Sequence, residues 1–158
     1  MFGPQRLERE ENIFDSPMQG RGSLDGVAKM PMAAALRILI VDDQYSVRQV
    51  TRMALEEIGI RHIHESENGK AAFETVSIQP LDLIISDFNM PEMDGLGLLK
   101  AVRGSPAVRK VPFILLTGRG DRELVVKAAQ AGVNNYLVKP FTSAVLREKI
   151  EQVIGKLS

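Results

Sequence analysis

The chain contains no cysteine among its 158 residues. Disulfide bonds, thiolate catalysis and cysteine-ligated zinc are therefore excluded, and this composition fits a cytoplasmic protein. Basic and acidic residues number 20 each, so no net charge attracts nucleic acid or an anionic membrane surface. No apolar run approaches the ~18 residues of a spanning helix. We therefore expect neither nucleic-acid binding nor membrane insertion.

The first 35 residues are predicted to form a flexible N-terminal extension, followed by one folded domain over residues 36–158. Glycine, proline and mixed charges recur in the extension without a sustained apolar period. The extension also lacks the apolar core of a signal peptide. Met30 and Met32 lie just before the first predicted strand, so translation from near Met32 instead of Met1 is an alternative start.

From Arg37 onward, short apolar runs alternate with amphipathic segments. The runs predict five strands, at 37–41, 61–65, 81–87, 112–117 and 135–138. Five helices follow them: one begun by a capping box at Ser46 and Gln49, one opened by Asn68 and Gly69, and others over 95–102, 122–131 and about 146–157. This alternation predicts an α/β fold, a doubly wound five-stranded parallel sheet of flavodoxin-like order 2-1-3-4-5.

Polar residues stand at the ends of the predicted strands. They are Asp42 and Asp43 after the first strand, Asp87 at the end of the third, Thr117 at the end of the fourth and Lys139 after the fifth. The carboxyl edge of an open α/β sheet is where ligands bind, and the predicted order places strands one and three side by side. Both arguments locate a cleft at the three acids.

Three carboxylates at one cleft require compensation. At about 5 Å and an effective dielectric near 20, each pair repels by roughly 3 kcal/mol, which calls for a divalent cation or a raised pKa. His62 and His64 lie on the second strand, away from the acids. The remaining ligands are all oxygen atoms, which favours Mg²⁺, or Mn²⁺ in its place, over zinc.

Four motifs stand in a fixed order along the chain. They are Val41-Asp42-Asp43, Ser86-Asp87-Phe88-Asn89-Met90-Pro91-Glu92-Met93-Asp94-Gly95, Leu116-Thr117 and Tyr136-Leu137-Val138-Lys139-Pro140-Phe141-Thr142. In this order and spacing, residues 37–158 resemble the receiver domain of bacterial two-component response regulators, and most of all the CheY-like single-domain chemotaxis regulators.

The resemblance implies a phosphoacceptor site. Asp87 would be the nucleophile that accepts a phosphoryl group from a phosphohistidine on a histidine kinase or histidine phosphotransfer protein. Asp43, Asp87 and the backbone carbonyl of Asn89 would ligate Mg²⁺, and Asp42 would act through a water molecule.

The resemblance also implies a switch. Lys139 and Thr117 would each contact a phosphoryl oxygen, and Tyr136 would turn inward as Thr117 moves. This movement would alter the face built from the fourth helix, the fifth strand and the fifth helix. A cis peptide between Lys139 and Pro140 is implied as well.

The expected function is a stand-alone signalling receiver, because the chain stops after the fifth helix. It would act in chemotaxis or a phosphorelay by binding a flagellar motor switch or a relay protein, and it would not be a turnover enzyme. One alternative is a magnesium-dependent hydrolase with an aspartyl-phosphate intermediate, although Gln44 and Tyr45 follow the acid pair and the haloacid-dehalogenase-like pattern Asp-x-Asp-x-Thr is absent. A phosphorylation-independent adaptor is the other, although it has no need for all five polar residues.

Overall fold

The computed structural model describes residues 30–158, so most of the predicted extension lies outside the described residues. The short segment before the first strand includes a 3₁₀ turn, Ala33–Ala35. Ser158 N–H donates to the Pro31 carbonyl at 2.9 Å, and Ala33 N–H donates to the Ser158 carbonyl at 3.2 Å. Residues 31–35, which the sequence assigns to the extension, are thus bound to the carboxyl terminus.

A five-stranded parallel sheet with helices on both faces forms the domain. The strands are β1 (Arg37–Val41), β2 (His62–Ser66), β3 (Leu83–Asp87), β4 (Phe113–Thr117) and β5 (Asn135–Val138), and the helices are α1 (Tyr45–Ile58), α2 (Gly69–Ile78), α3 (Gly95–Arg103), α4 (Arg122–Gln130) and α5 (Ser143–Ile154). The strand order is β2-β1-β3-β4-β5, which confirms the predicted fold. Within residues 30–158, no helix has the length and apolar character needed to cross a membrane.

The central strands are buried on both faces, as their continuous apolar runs predict. Every residue of β3 and β4 is buried. Alternate residues point to opposite layers. One layer joins Ile38, Ile85 and Ile114 to Leu55 of α1 and Ile150 of α5. The other joins Leu39, Ile84 and Phe113 to Ala72, Leu99 and Ala128 of α2, α3 and α4.

The predicted capping box at Ser46 is wrong. With Ser46 as N-cap the helix would begin at Val47, but α1 begins two residues earlier, at Tyr45, and its N-cap Gln44 makes no side-chain hydrogen bond. The reason lies in the preceding turn, where Asp42 Oδ1 accepts the Gln44 N–H at 3.0 Å. The Asn68 cap of α2 is present, since its side chain accepts the Ala71 N–H at 2.7 Å.

Arg103, the last residue of α3, joins two loops at the amino edge of the sheet. Its guanidinium donates four hydrogen bonds of 2.7 to 2.9 Å, to the carbonyl oxygens of Arg109, Val111 and Gly132 and to the side-chain oxygen of Asn134. The same Asn134 oxygen accepts the Phe113 N–H at 2.8 Å, where β4 begins. A planar guanidinium suits such a set of acceptors because its five donors have a fixed geometry.

We expect Arg103→Ala to lower the free energy of unfolding by about 2 kcal/mol, because four charge-assisted hydrogen bonds are lost and water can replace them only in part. Arg103→Lys should recover less than half of this loss, since one ammonium group cannot reach all four acceptors. Urea denaturation measures both. The matched control is Arg109→Ala, an exposed neighbour whose backbone carbonyl remains; a loss as large in this control would contradict the assignment.

Candidate phosphoacceptor site

A polar cleft lies at the carboxyl edge of the sheet, where β1, β3 and β5 end. Its volume is about 460 Å³, and it is lined by Asp42, Asp43, Gln44, Asp87, Asn89, Met90, Pro91 and Lys139. The strands are in register, with Val41 opposite Ser86, so the residues that follow them emerge side by side. The structure therefore brings together the three acids, the asparagine and the lysine that the sequence singles out.

The three acids lie close enough to hold one cation. Carboxylate oxygens of Asp42, Asp43 and Asp87 all lie within 4.8 Å of one another. Asp42 is 2% exposed and Asp87 5% exposed, whereas Asp43 is exposed to solvent. Asp42 Oδ2 is buried without a hydrogen-bond partner among the described residues. A buried, unpartnered carboxylate oxygen beside two other acids is a donor set that fits an oxygen-preferring divalent cation.

Electrostatics at the cleft act most strongly on Asp42. Burial raises the pKa of Asp42, and the nearby charges of Asp87 and Asp43 raise it further. The Gln44 N–H and the Lys139 ammonium act in the opposite direction without reversing the shift. Ionised Asp42 is therefore less favourable in the folded protein than in the unfolded chain.

Lys139 offsets part of the negative charge. Its Nζ lies 2.5 Å from Asp87 Oδ1, and the two side chains are 31% and 7% exposed, respectively. The residue follows β5, and its peptide bond to Pro140 is cis, which confirms the expectation from the sequence. The lysine thus reaches the acid from the far side of β4, across the sheet edge.

Thr117 and Tyr136 border a second, mostly apolar groove between α4 and β5. This groove has a volume of about 430 Å³, and Val125, Val126 and Val138 also line it. Thr117 is 1% exposed and its hydroxyl has no hydrogen-bond partner among residues 30–158. Tyr136 is 36% exposed, and Lys149 Nζ lies 4.9 Å from the centre of its ring. The aromatic ring is thus on the surface, beside a groove that extends to the threonine.

Sequence reasoning missed two residues that shape the cleft. At Gly95 a Cβ atom would lie 2.3 Å from the Asp87 carbonyl oxygen, so only glycine allows the loop to pack this closely. Arg48 of α1 donates to the carbonyl of Asp42 at 2.8 Å. An arginine one turn into the helix that follows an acid pair is the signal that could have identified it.

Fold and cleft together define a class, a doubly wound α/β domain with an acidic site at the carboxyl edge of its sheet. The family model described as the response regulator receiver domain matches residues 38–151. The chain therefore belongs to the response regulator receiver family.

Particular relatives come from several bacteria. The chain is 46% identical to the "Probable chemotaxis protein CheY" of Rhizobium etli over 128 residues, which covers 81% of this chain and 99% of the relative. It is 37% identical to chemotaxis protein CheY-3 of Vibrio cholerae over 122 residues, with 77% and 94% covered.

Solved structures of receiver domains have the same fold as this chain. CheY4 of Vibrio cholerae has a TM-score of 0.69 and 31% identity, with 75% of this chain and 98% of that one covered. The receiver domain of sensor histidine kinase PA1611 from Pseudomonas aeruginosa has a TM-score of 0.69 and 33% identity, with 78% and 100% covered. That receiver is described with a magnesium ion coordinated in its active-site cleft.

Because its pKa is raised, Asp42 should destabilise the metal-free fold at neutral pH. The folded state then holds the proton more tightly than the unfolded chain, in which the pKa of this carboxyl is 3.8. The free energy of unfolding therefore falls as the pH rises from 3.8 through the higher pKa of the folded state. We expect Asp42→Asn to raise stability by about 1–3 kcal/mol at pH 7 in EDTA. Asparagine keeps an oxygen that can accept the Gln44 N–H.

The gain should shrink as pH falls, and it should be absent once Asp42 is protonated in both states. Urea denaturation between about pH 4 and pH 8 measures the difference. Glu57→Gln, an exposed acid on α1, is the control and should change stability little at any pH. A loss of stability in Asp42→Asn at pH 7 would show that the carboxylate is favourably placed without a cation.

Proposed function

We propose that this protein is a phosphorylation-controlled switch. Asp87 accepts a phosphoryl group from a phosphohistidine of a histidine kinase or phosphotransfer protein, with Mg²⁺ or Mn²⁺ at the cleft, and the modified protein binds a downstream partner. One observation carries the proposal: three carboxylates lie within 4.8 Å of one another, and one of them, Asp87, is paired with Lys139.

The cation ligands would be Asp43, Asp87 and the backbone carbonyl of Asn89, with Asp42 acting through water. The unpartnered oxygen of Asp42 and the all-oxygen donor set support this choice. When bound, Mg²⁺ offsets the negative charge of the carboxylates and of the phosphoryl oxygens that approach them. The magnesium ion coordinated in the active-site cleft of the Pseudomonas aeruginosa receiver supports a cation at this cleft.

Phosphoryl transfer needs little from the protein beyond position and charge. A carboxylate oxygen of Asp87 forms the new bond to phosphorus while the bond from phosphorus to the donor's imidazole nitrogen breaks, and that nitrogen keeps the electron pair. Lys139, already paired with Asp87, moves its charge to a phosphoryl oxygen. In this proposal the aspartyl phosphate is the signal and not an intermediate of a catalytic cycle, so the protein is a phosphoacceptor and not a turnover enzyme.

Transmission of the signal would begin at Thr117. Its hydroxyl, buried without a partner, turns to donate a hydrogen bond to a phosphoryl oxygen. Tyr136 then enters the groove that Thr117 borders and leaves its contact with Lys149. Both changes alter the face of α4, β5 and α5, and phosphorylation shifts a two-state equilibrium toward the form that binds the partner.

Chemotaxis is the pathway that the relatives favour, since two of them are named chemotaxis proteins. The downstream partner would then be a flagellar motor switch protein, and in a phosphorelay it would be a relay protein. Both options place the protein in the cytoplasm.

The transfer step is tested with a small phosphodonor. Incubation with acetyl phosphate and MgCl₂ should add one phosphoryl group to the wild-type chain, as measured by intact-protein mass spectrometry. Asp87→Asn should remain unmodified, and Asp43→Asn, which keeps the nucleophile, should react at least about tenfold more slowly. EDTA should slow the reaction of the wild type to a similar extent.

Equal labelling of the wild type and Asp87→Asn would refute the proposal. Continued release of inorganic phosphate from a phosphate ester, well beyond one equivalent, would favour the hydrolase instead. Partner binding that is unchanged by phosphodonor and by Asp87→Ala would favour the adaptor.

The switch is tested by tyrosine fluorescence, because the chain contains two tyrosines and no tryptophan. In a Tyr45→Phe background the emission reports Tyr136 alone. Treatment with acetyl phosphate and MgCl₂ should make the Tyr136 ring less accessible to acrylamide, because an exposed ring becomes buried. The quenching constant should fall by roughly half. When Thr117→Ala is combined with Tyr45→Phe, the quenching constant after treatment should stay near its untreated value, although Asp87 is still phosphorylated. Quenching that falls equally with and without the hydroxyl would contradict the coupling.

A further inference from the structure

Both backbone polar groups of Asp42 are hydrogen-bonded, and its carbonyl belongs to the peptide group that it shares with Asp43. Asp42 N–H donates to the Ser66 carbonyl at 3.1 Å, which extends the pairing of β1 with β2 by one residue. Arg48 Nη1 donates to the Asp42 carbonyl at 2.8 Å. A carbonyl and the following N–H belong to one planar unit, so this contact also orients the backbone at Asp43.

Asp43 depends on that backbone for its position. Its side chain is exposed, and it takes part in none of the hydrogen bonds or ion pairs found within residues 30–158. Asp42, in contrast, is buried and accepts the Gln44 N–H. The direction in which Asp43 projects into the cleft is therefore set mainly by the peptide group that Arg48 holds.

Arg48 is itself fixed by Glu65 on the edge strand β2. Arg48 Nε lies 2.7 Å from Glu65 Oε1, and the two side chains are 13% and 22% exposed, respectively. Gln49 Nε2 donates to the same oxygen at 2.9 Å, and Arg52 Nη1 lies 2.7 Å from Glu65 Oε2. Both carboxylate oxygens are thus bound by side chains of α1, so Arg48 has little freedom to leave the Asp42 carbonyl.

Glu65 also balances the charge of the guanidinium. Burial raises the pKa of Glu65, but hydrogen bonds from Arg48 and Arg52 outweigh it and hold that pKa below its usual value. The carboxylate is therefore ionised at neutral pH. A partly buried arginine close to a cation site would otherwise repel the cation.

We propose that Arg48 is a positioning residue for the cation site: it holds the Asp42–Asp43 peptide in the orientation that cation binding requires, without touching the cation or the phosphoryl group. The inference rests on the proposed function, because it presumes that these acids bind Mg²⁺. Groups that orient metal ligands from outside the coordination sphere commonly account for tenfold or more in metal affinity.

Two effects of removing Arg48 have opposite signs, which makes the inference testable. Loss of a positive charge near the acids should by itself strengthen the binding of Mg²⁺. Loss of the hydrogen bond to the Asp42 carbonyl should weaken it, because the carboxylates no longer share one orientation. Weaker binding after the substitution can therefore not be explained by charge.

Arg48→Met is the informative variant, since methionine keeps an unbranched apolar stem in place of the arginine stem. Its matched control is Arg52→Met, which removes the same charge and one bond to Glu65 but does not touch Asp42. Isothermal titration calorimetry with MgCl₂ measures the affinity, and urea denaturation in EDTA establishes that each variant is folded. We expect Arg48→Met to bind Mg²⁺ about tenfold more weakly than the wild type, and Arg52→Met to bind it within twofold.

Arg48→Lys supplies the second comparison and a rescue. An ammonium group can reach the Asp42 carbonyl but cannot bond it and Glu65 with the geometry of a guanidinium, so the affinity should fall between those of the wild type and Arg48→Met. If Arg48→Met does not fold, the loss in Arg48→Lys relative to Arg52→Lys serves in its place, and it should be several-fold.

Arg48→Met that binds Mg²⁺ as tightly as the wild type, or more tightly, would overturn the inference. An equal loss in Arg52→Met would also overturn it, by assigning the effect to Glu65 and helix α1 in general. Failure of the proposed function would give a different result from both of these outcomes. In that case neither the wild type nor Asp87→Asn would take up Mg²⁺ in the calorimeter.

Discussion

Mutual repulsion among three carboxylates is the constraint on which the rest of the site depends. The strand order places β1 beside β3, and the register brings Asp42, Asp43 and Asp87 within 4.8 Å of one another. Two of the three are almost completely buried, so water cannot screen them well. Lys139 offsets one charge, and the negative charge that remains makes this edge of the sheet suited to a divalent cation.

The backbone that carries the acids is held firmly, whereas the groups proposed to move are not. Gly95 lets the loop after β3 return to within contact of the Asp87 carbonyl, and Arg48 holds the Asp42 carbonyl. Thr117 has no hydrogen-bond partner for its hydroxyl among the described residues, and Tyr136 lies on the surface. Asp87 thus lies on a firmly held backbone near two side chains that are free to move, Thr117 and Tyr136. In such an arrangement a change of charge at the acceptor can become a change of conformation.

Much of the fold could be predicted from the sequence because each central strand is a continuous apolar run that ends abruptly. The bounds of β1 and β5 match the prediction at both ends, and the acids lie together as expected. Errors arose where a tertiary contact replaces a local signal. Asp42, not Ser46, organises the start of α1. The hydrogen bonds of Ser158 with Pro31 and Ala33 join the carboxyl terminus to the segment before β1, which no local pattern indicates.

Two buried oxygen atoms without partners explain why the site can respond to what it binds. Asp42 Oδ2 and Thr117 Oγ1 each lose water on folding without gaining a hydrogen bond from the described residues, which costs about 1–3 kcal/mol per group. A cation beside the first and a phosphoryl oxygen beside the second would remove these costs. Anything that binds only the folded state stabilises it, so the unfavourable polar groups of the free protein become part of the free energy that drives the switch.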